Sequence, residues 1–274
     1  MRRTLLGVAG ALAVLVMIGP VGRAQQIWNF TGMTPEQFKS LPPGGPAPRR
    51  DISGTWDGGP AGVGATGQQA ERAAARAPFT PLGEKMAREN RPGNGPRRVA
   101  VAEINDPLST VGDPAGFPRL VTFELRGVQI VQTPAQVLML YLFEKRWRTI
   151  WTDGRPLPTN PEPRWYGYSV GRWEDDYTLV VDTIGLDDRT WIDNDGDPHS
   201  TDLRVTERYR RVNQNTLELT VTIDDPQVYT KPWLVRNRMP LRLLPVGTDW
   251  MEMIPSASEA QAYQRAVVSQ LKGK

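Results

Sequence analysis

The chain has 274 residues, of which 33 are basic and 30 acidic, and it contains no cysteine. The absence of cysteine excludes disulfides, thiol nucleophiles and thiolate metal sites, so the fold depends on its hydrophobic core. The length suits one large domain, or one domain with a long arm.

Residues 1–24 have the pattern of a signal peptide. Arg2 and Arg3 precede an apolar run, and the small residues Gly22 and Ala24 form a cleavage site. Because the apolar run is short for a transmembrane helix, we expect cleavage after Ala24 and no stable membrane insertion once the leader is removed. The mature protein is then periplasmic or secreted. An uncleaved N-terminal anchor is the alternative.

Three of the 33 basic residues lie in this leader, which leaves 30 basic residues against 30 acidic ones in the predicted mature chain. A balanced charge provides no basic stripe, so we expect no nucleic-acid partner. Nothing in the sequence indicates an oligomeric state.

Residues 25–99 are rich in Pro and Gly, which interrupt regular elements, and they predict an irregular arm with short helices. Thr34-Pro35-Glu36-Gln37 has the pattern of a helix start with a capping box, and Thr80-Pro81 predicts a second start. A third capping box, Ser256-Ala257-Ser258-Glu259, predicts a C-terminal helix over residues 256–274.

Residues 100–255 contain short runs of β-branched and aromatic residues that alternate with a period of two. In chain order the runs are LVTFEL, VQIVQ, QVLMLYLFE, RWRTIW, WYGYSVGRWE, TLVVDTI, LRVTERYRR, LELTVTID and WLVRNRMPLRL. Most connections are too short for crossover helices, so we expect antiparallel strands. The fold class that follows is mainly β, an antiparallel up-and-down barrel or a strongly bent sheet.

The unit Gly54-Thr55-Trp56, in the segment DISGTWD, resembles the opening strand of lipocalin-like (calycin-like) barrels. In those proteins a Trp closes one end of the barrel. The likeness covers three residues, and it favours a barrel over a sandwich.

Four segments between residues 164 and 233 occur in a specific order. They are WYGYSVGRWE, VVDTIGLDDRTWID, DGDPHSTDLRVTERYRR and LTVTIDDPQVYTKPW. In this order they resemble a large family of exported, poorly characterised bacterial β-rich proteins that is frequent in soil bacteria such as acidobacteria. The resemblance implies export and a β-rich fold, and it carries no activity. Family members often have a Cys shortly before GFPR, where this chain reads TVGDPAGFPR.

The stretch from Asp187 to Arg211 contains the only histidine of the chain, His199. A titrating imidazole beside a carboxylate can transfer protons, so the candidate catalytic residues are His199, Asp193 and Glu207. The alternative is structural, with His199 hydrogen-bonded to the backbone of its loop. In an open loop, loss of the His199 side chain is expected to cost about 1 kcal/mol or less.

Glu207 shares a strand face with Leu203 and Val205, so we expect its carboxylate to point into the core. A buried carboxylate needs a cationic partner, and Arg189, Arg172 or Lys231 could supply it. In the structural alternative this pair pins the end of the barrel.

Asp193, Asp195 and Asp197 alternate around Gly196, which suggests a calcium loop. An EF-hand register counted from Gly196 puts Trp191 at the first ligand position, where it cannot coordinate. A single histidine without cysteine disfavours zinc. We therefore expect no metal and no cofactor, and interpret the acids as turn formers. An irregular calcium site is the alternative.

Aromatic residues beside polar loops predict a small-molecule pocket at the mouth of the barrel. The candidate ligand-binding residues are Trp151, Tyr166, Arg189, Trp191, Tyr209, Tyr229, Lys231 and Trp233. Core packing is the alternative explanation for the aromatic rings.

Three functions are compatible with these patterns. The leading hypothesis is an exported, soluble barrel that binds a small, partly apolar organic molecule. The second is an enzyme of the lyase, isomerase or cyclase type that uses His199 with a carboxylate. The third is a structural or partner-binding envelope protein.

Overall fold

The computed structural model describes residues 27–59, 77–90, 106–123, 125–254 and 256–269. The predicted signal peptide lies outside these residues, and so do parts of the predicted arm. None of the helices within the described ranges has the length and apolar character that crossing a bilayer requires.

Most of the described chain is β-structure. The strands are β1 (Ile27–Phe30), β2 (Gly54–Asp57), β3 (Gly127–Gln132), β4 (Gln136–Tyr141), β5 (Trp147–Trp151), β6 (Tyr168–Trp173), β7 (Thr178–Ile184), β8 (Arg204–Asn213), β9 (Thr216–Asp224), β10 (Trp233–Leu243) and β11 (Thr248–Trp250). Nine of these described strands close into a barrel in the order β10-β2-β3-β4-β5-β6-β7-β8-β9, while β1 and β11 form a separate pair. The predicted barrel is confirmed.

One neighbouring pair in the barrel departs from the expected antiparallel arrangement. β5 and β6 run parallel, whereas the other barrel pairs are antiparallel. A closed ring of nine strands cannot alternate in direction throughout, because an odd number leaves one pair pointing the same way. The long connection 152–167 carries the chain back to start β6 in the direction of β5.

The helices are short. They are α1 (Pro35–Ser40), α2 (Pro81–Asn90), α3 (Pro107–Thr110), α4 (Arg119–Thr122) and α5 (Ala257–Tyr263), the last continued by a π-helical turn over Gln264–Val268. Thr34 and Gln37 form the predicted capping box of α1, and Ser256 and Glu259 form that of α5. In both boxes side chains satisfy N–H groups that the first helical turn leaves open.

Two segments differ from the sequence-based expectations. β2 lies within the segment 25–99, outside the predicted barrel domain, yet it is a barrel strand between β3 and β10, as the likeness of Gly54-Thr55-Trp56 to an opening barrel strand suggests. The first predicted strand, LVTFEL, starts at Leu120, but residues 119–122 are helical. Leu120 and Val121 are fully buried, and a short apolar run serves a buried helix as well as a buried strand.

Alternation along the strands builds the core. On β9, Leu217, Leu219, Val221 and Ile223 are fully buried, while the residues between them are only partly covered. This is the predicted half-buried strand.

A contact between Trp56 and Arg211 joins β2 to β8, which are not neighbours in the ring. The Trp56 indole is fully buried, and its Nε1 donates to the Ile52 carbonyl at 3.0 Å. The Arg211 guanidinium lies 4.5 Å from the centroid of the Trp56 ring. Arg211 also donates to backbone carbonyls, among them that of Gln214 at 2.6 Å. A cation–π contact thus crosses the interior of the barrel.

Candidate functional site

Glu207 points into the barrel, as its place on β8 predicts, and its side chain is completely buried. Its partner is Arg148 on β5, rather than any of the three predicted cations. Arg148 Nη2 donates to Glu207 Oε2 at 2.5 Å, and Nη1 donates to Oε1 at 3.1 Å. Arg189 instead pairs with Asp187, outside the barrel interior.

Further polar groups complete this buried network. Arg148 also donates to the hydroxyls of Ser169 at 2.9 Å and Thr183 at 2.8 Å. The Tyr209 hydroxyl donates to Glu207 Oε1 at 2.6 Å. Every oxygen of the Glu207 carboxylate and every nitrogen of the Arg148 guanidinium therefore has a partner. A buried ion pair is tolerated when all of its hydrogen-bonding atoms have partners in this way.

Burial also affects the phenols near this pair. It raises the pKa of Tyr141 to about 12, since an ionised phenolate would be desolvated there. The pKa of Tyr209 is raised well above its usual value by burial and by the adjacent Glu207 carboxylate. Both phenols stay protonated at neutral pH, and the network acts as a fixed structural clamp.

His199 is fully buried and does not lie in an open loop. Its Nδ1 contacts the Ser200 carbonyl at 2.9 Å, and its Nε2 contacts the Thr190 hydroxyl at 2.7 Å. Because a carbonyl only accepts, we assign the proton to Nδ1. Nε2 then faces the Thr190 hydroxyl, whose single proton is shared with the Asp187 carbonyl at 3.0 Å. Burial lowers the pKa of His199 and the Ser200 hydrogen bond only partly opposes this, so the ring is neutral.

The loop around His199 is held by carboxylates that bind backbone. Asp225 accepts from the Ser200 amide at 2.6 Å and from the Ser200 hydroxyl at 3.0 Å. Asp193 Oδ1 accepts from the amides of Asp195 at 2.8 Å and Asp197 at 3.4 Å. These are turn contacts. Across the described ranges, no group of three or more His, Cys, Asp or Glu side chains is arranged to hold a metal ion.

The remaining candidate residues are spread over different parts of the molecule. Tyr229 is stacked on Phe79 and tilted against Trp233, and all of these join the main core. Trp191 is buried with the Arg119 guanidinium 5.5 Å from its ring centroid. Lys231 is exposed in the loop between β9 and β10. The structure does not bring these residues together around one cavity with His199.

A pocket of about 880 Å³ lies elsewhere, between β5, β6 and the crossover 152–167. Two of the candidate residues, Trp151 and Tyr166, line it, and Arg189 stacks on a third lining residue, Trp165. Its lining residues are Trp147, Arg148, Thr149, Trp151, Arg155, Pro156, Leu157, Pro158, Thr159, Pro163, Arg164, Trp165, Tyr166, Gly167, Tyr168, Ser169 and Val170.

The pocket lies on the flank of the barrel, and not at its mouth as the sequence suggested. On β5 the residues Arg148 and Ile150 are buried inward, so Trp147, Thr149 and Trp151 face outward. The parallel pairing of β5 with β6 covers only two positions, which leaves room beside residues 147–149. The crossover then forms the outer wall of the pocket.

The crossover wall of the pocket is anchored by a tight turn. The Gly167 amide donates to the Arg164 carbonyl at 3.2 Å, which places Trp165 and Tyr166 at the corners of the turn. Gly167 has a φ of +61°, and a Cβ there would lie 2.6 Å from the Ile184 carbonyl oxygen. Only glycine fits this position without strain.

Two further contacts tie this turn to the segment before α4. The Phe117 amide donates to the Trp165 carbonyl at 2.9 Å. The Tyr166 hydroxyl donates to the Glu144 carboxylate at 2.9 Å, and that carboxylate also accepts from the Ala115 amide at 2.8 Å. Burial and the Glu144 charge raise the pKa of Tyr166, so it remains a donor at neutral pH. The wall is therefore fixed before any ligand arrives.

The candidate ligand-binding residues predicted from the sequence include Trp151 and Tyr166 of this lining, but not Trp147, Trp165 and Tyr168. The signal was the connection TDGRPLPTNPEPR, which is too long and too rich in proline for a hairpin turn. Such a segment between two strands marks a structured cover over the sheet.

No family model, curated protein or solved structure matches the chain. The fold and the pocket therefore define the class of protein: a closed β-barrel with an aromatic pocket on its flank.

Proposed function

We propose that this protein is an exported β-barrel that binds a small, partly apolar organic molecule in the pocket between β5, β6 and the crossover. The observation that carries the proposal is the pocket itself, with a volume of about 880 Å³ and five aromatic residues in its lining. Small-molecule sites usually have volumes of about 300–1,000 Å³ and combine apolar walls with a few polar groups.

The fixed wall supports the same function. Gly167, Tyr166 and the Phe117 amide hold the crossover in place, so little conformational entropy is lost when a ligand binds. Trp147 is 67% exposed although its ring is large and apolar. Leaving such a ring in water is unfavourable, and a bound ligand would cover it.

The proposal is tested with N-phenyl-1-naphthylamine, a neutral apolar dye whose fluorescence rises on binding. The dye should bind the intact protein, and Trp147→Ala should weaken binding about tenfold, since an aromatic anchor contributes on the order of 1–2 kcal/mol. Because Trp147 is exposed, the variant should unfold at nearly the same temperature as the parent protein.

Tyr177→Ala is the matched control. Tyr177 is also an exposed aromatic residue, at 41%, but it lies in the turn between β6 and β7 and does not line the pocket. This variant should bind the dye like the parent protein. If the dye does not bind at all, or if both variants lose it equally, the pocket is not the binding site.

Export rests on the sequence of residues 1–24 and on the resemblance of residues 164–233 to an exported bacterial family. Cleavage after Ala24 gives a mature protein that begins at Gln25. Intact-mass measurement of the periplasmic or secreted protein should give this start. A chain that retains Met1 and stays with the membrane fraction would contradict export.

A further inference from the structure

The pocket lining is positively charged. Among its lining residues are three arginines, Arg148, Arg155 and Arg164, and no Asp or Glu. A pocket with this lining attracts anions, unless carboxylates behind the wall neutralise each arginine.

Two of the three arginines are neutralised in this way. Arg148 pairs with Glu207 inside the barrel. Arg155 donates to both oxygens of Asp153, at 2.6 Å and 2.9 Å, while it stacks 3.5 Å from the Trp151 ring centroid. The charges of Arg148 and Arg155 are therefore already balanced by carboxylates of the protein.

Arg164 differs from the other two. Its guanidinium lies 4.1 Å from the Tyr168 ring centroid, and within the described ranges it forms no ion pair. Glu162, two residues earlier, does not line the pocket. The Arg164 backbone is fixed, because its amide donates to the Gly185 carbonyl at 2.9 Å and its carbonyl accepts from the Asp187 amide at 3.1 Å. The guanidinium, placed by its stacking on Tyr168, therefore lies at the pocket without a carboxylate partner among the described residues.

Two of the five aromatic rings in the lining, Trp147 and Tyr166, have no arginine of the described ranges stacked on them, and of these Tyr166 packs against the main core. Trp151, Tyr168 and Trp165 each have an arginine stacked on the ring. Trp147 has no such contact within the described chain and is the most exposed of the large hydrophobic rings. A flat apolar group fits this ring by stacking.

We propose that the ligand of this pocket carries an anionic group, such as a carboxylate, sulfonate or phosphate, on a flat ring system. The ring stacks on Trp147 and the anionic group pairs with Arg164. This inference rests on the proposed binding function and specifies the chemical class of its ligand. Arg164 is here a specificity-determining residue, because the planar guanidinium donates two hydrogen bonds to such anions.

The experiment compares two dyes with the same ring skeleton, 8-anilino-1-naphthalenesulfonate and the neutral N-phenyl-1-naphthylamine. The sulfonate should bind about fivefold more tightly, which is the gain expected from one partly exposed ion pair. Arg164→Gln should remove this preference and leave the affinity for the neutral dye unchanged. Added NaCl should weaken binding of the sulfonate only.

Arg204→Gln is the matched control, since Arg204 is exposed on β8, outside the pocket, and the charge change is the same. It should keep the preference for the sulfonate. Equal affinities of the two dyes in the parent protein, or equal effects of the two variants, would overturn the anion inference while leaving the pocket as a binding site. If neither dye binds the parent protein, the result contradicts the proposed binding function itself.

Discussion

Arg148 and Glu207 face each other inside the barrel, with Arg148 Nη2 and Glu207 Oε2 2.5 Å apart and both side chains almost completely covered. They lie on β5 and β8, so the pair links strands that are not neighbours in the ring. Phe117 covers the guanidinium from the segment before α4, with its ring centroid 3.9 Å from the guanidinium carbon. The pair clamps the part of the barrel wall where β5 and β6 meet only briefly.

Glu207→Gln should destabilise the protein by about 3 kcal/mol, because it leaves the Arg148 charge buried without a counter-ion. Urea unfolding at pH 7.5 measures this change. The control is Glu218→Gln, which breaks the pair with the exposed Arg238 on β10. That variant should leave the free energy of unfolding almost unchanged, since water can solvate the freed guanidinium.

A double variant separates charge burial from packing. Arg148→Met combined with Glu207→Leu removes both charges and should be more stable than Glu207→Gln alone, because no uncompensated charge remains. If the double variant is less stable than the single one, the hydrogen bonds to Ser169 and Thr183 matter more than the ion pair.

The barrel could be predicted from the sequence because its signal is local. The predicted runs TLVVDTI and WLVRNRMPLRL coincide with β7 and β10, and alternation along LRVTERYRR correctly turned Glu207 inward. The partner of Glu207 could not be predicted in the same way. Arg148 lies 59 residues earlier, and only the order of strands around the ring places the two opposite each other.

The position of the pocket could not be predicted from the sequence for a related reason. Its aromatic rings come from the outer face of β5 and from a crossover that exists only because an odd strand number forces one parallel pair. Strand periodicity predicts which side a residue faces, but it does not predict what covers the outer side. The sequence therefore does not show that Trp147, which stays 67% exposed, lies beside this crossover.

His199 should be costlier to replace than its loop position suggested. Its side chain is fully buried with both ring nitrogens hydrogen-bonded, so we expect His199→Ala to cost about 2–3 kcal/mol instead of 1 or less. Thermal and urea unfolding of the variant check this. A near-parental stability would show that the loop rearranges freely around the lost ring.

His199 also predicts how stability depends on pH. Burial lowers its pKa in the folded protein, so below about pH 6.5 the unfolded chain binds the proton more readily. The contribution of neutral His199 to the free energy of unfolding is therefore fully present above this pH. It decreases as pH falls toward the folded-state pKa, by up to about 1.4 kcal/mol per pH unit. Because His199 is the only histidine, His199→Gln should flatten the curve between pH 7.5 and 5.5. An unchanged slope in the variant would assign the effect to other groups.

The Asp193 loop should not respond to calcium. Asp193 Oδ1 already accepts from the amides of Asp195 and Asp197, and the EF-hand register fails at Trp191. Melting curves recorded with EDTA and with millimolar CaCl₂ should coincide. A rise of several degrees in calcium would reveal a site, since a ligand far above its dissociation constant stabilises the fold by several kcal/mol.

Substitutions of two glycines in the crossover distinguish the cost of backbone strain from a change in the shape of the pocket. Gly154 and Gly167 both have positive φ angles, +85° and +61°, but a Cβ on Gly154 meets nothing within 4 Å, whereas one on Gly167 lies 2.6 Å from the Ile184 oxygen. Gly154→Ala should cost about 1 kcal/mol and keep dye binding. Gly167→Ala adds the overlap with the backbone and should cost about 2–4 kcal/mol. It should also weaken binding of N-phenyl-1-naphthylamine, because the displaced turn carries Trp165 and Tyr166. Equal dye affinities in the two variants, measured well below their melting temperatures, would show that this turn does not shape the site.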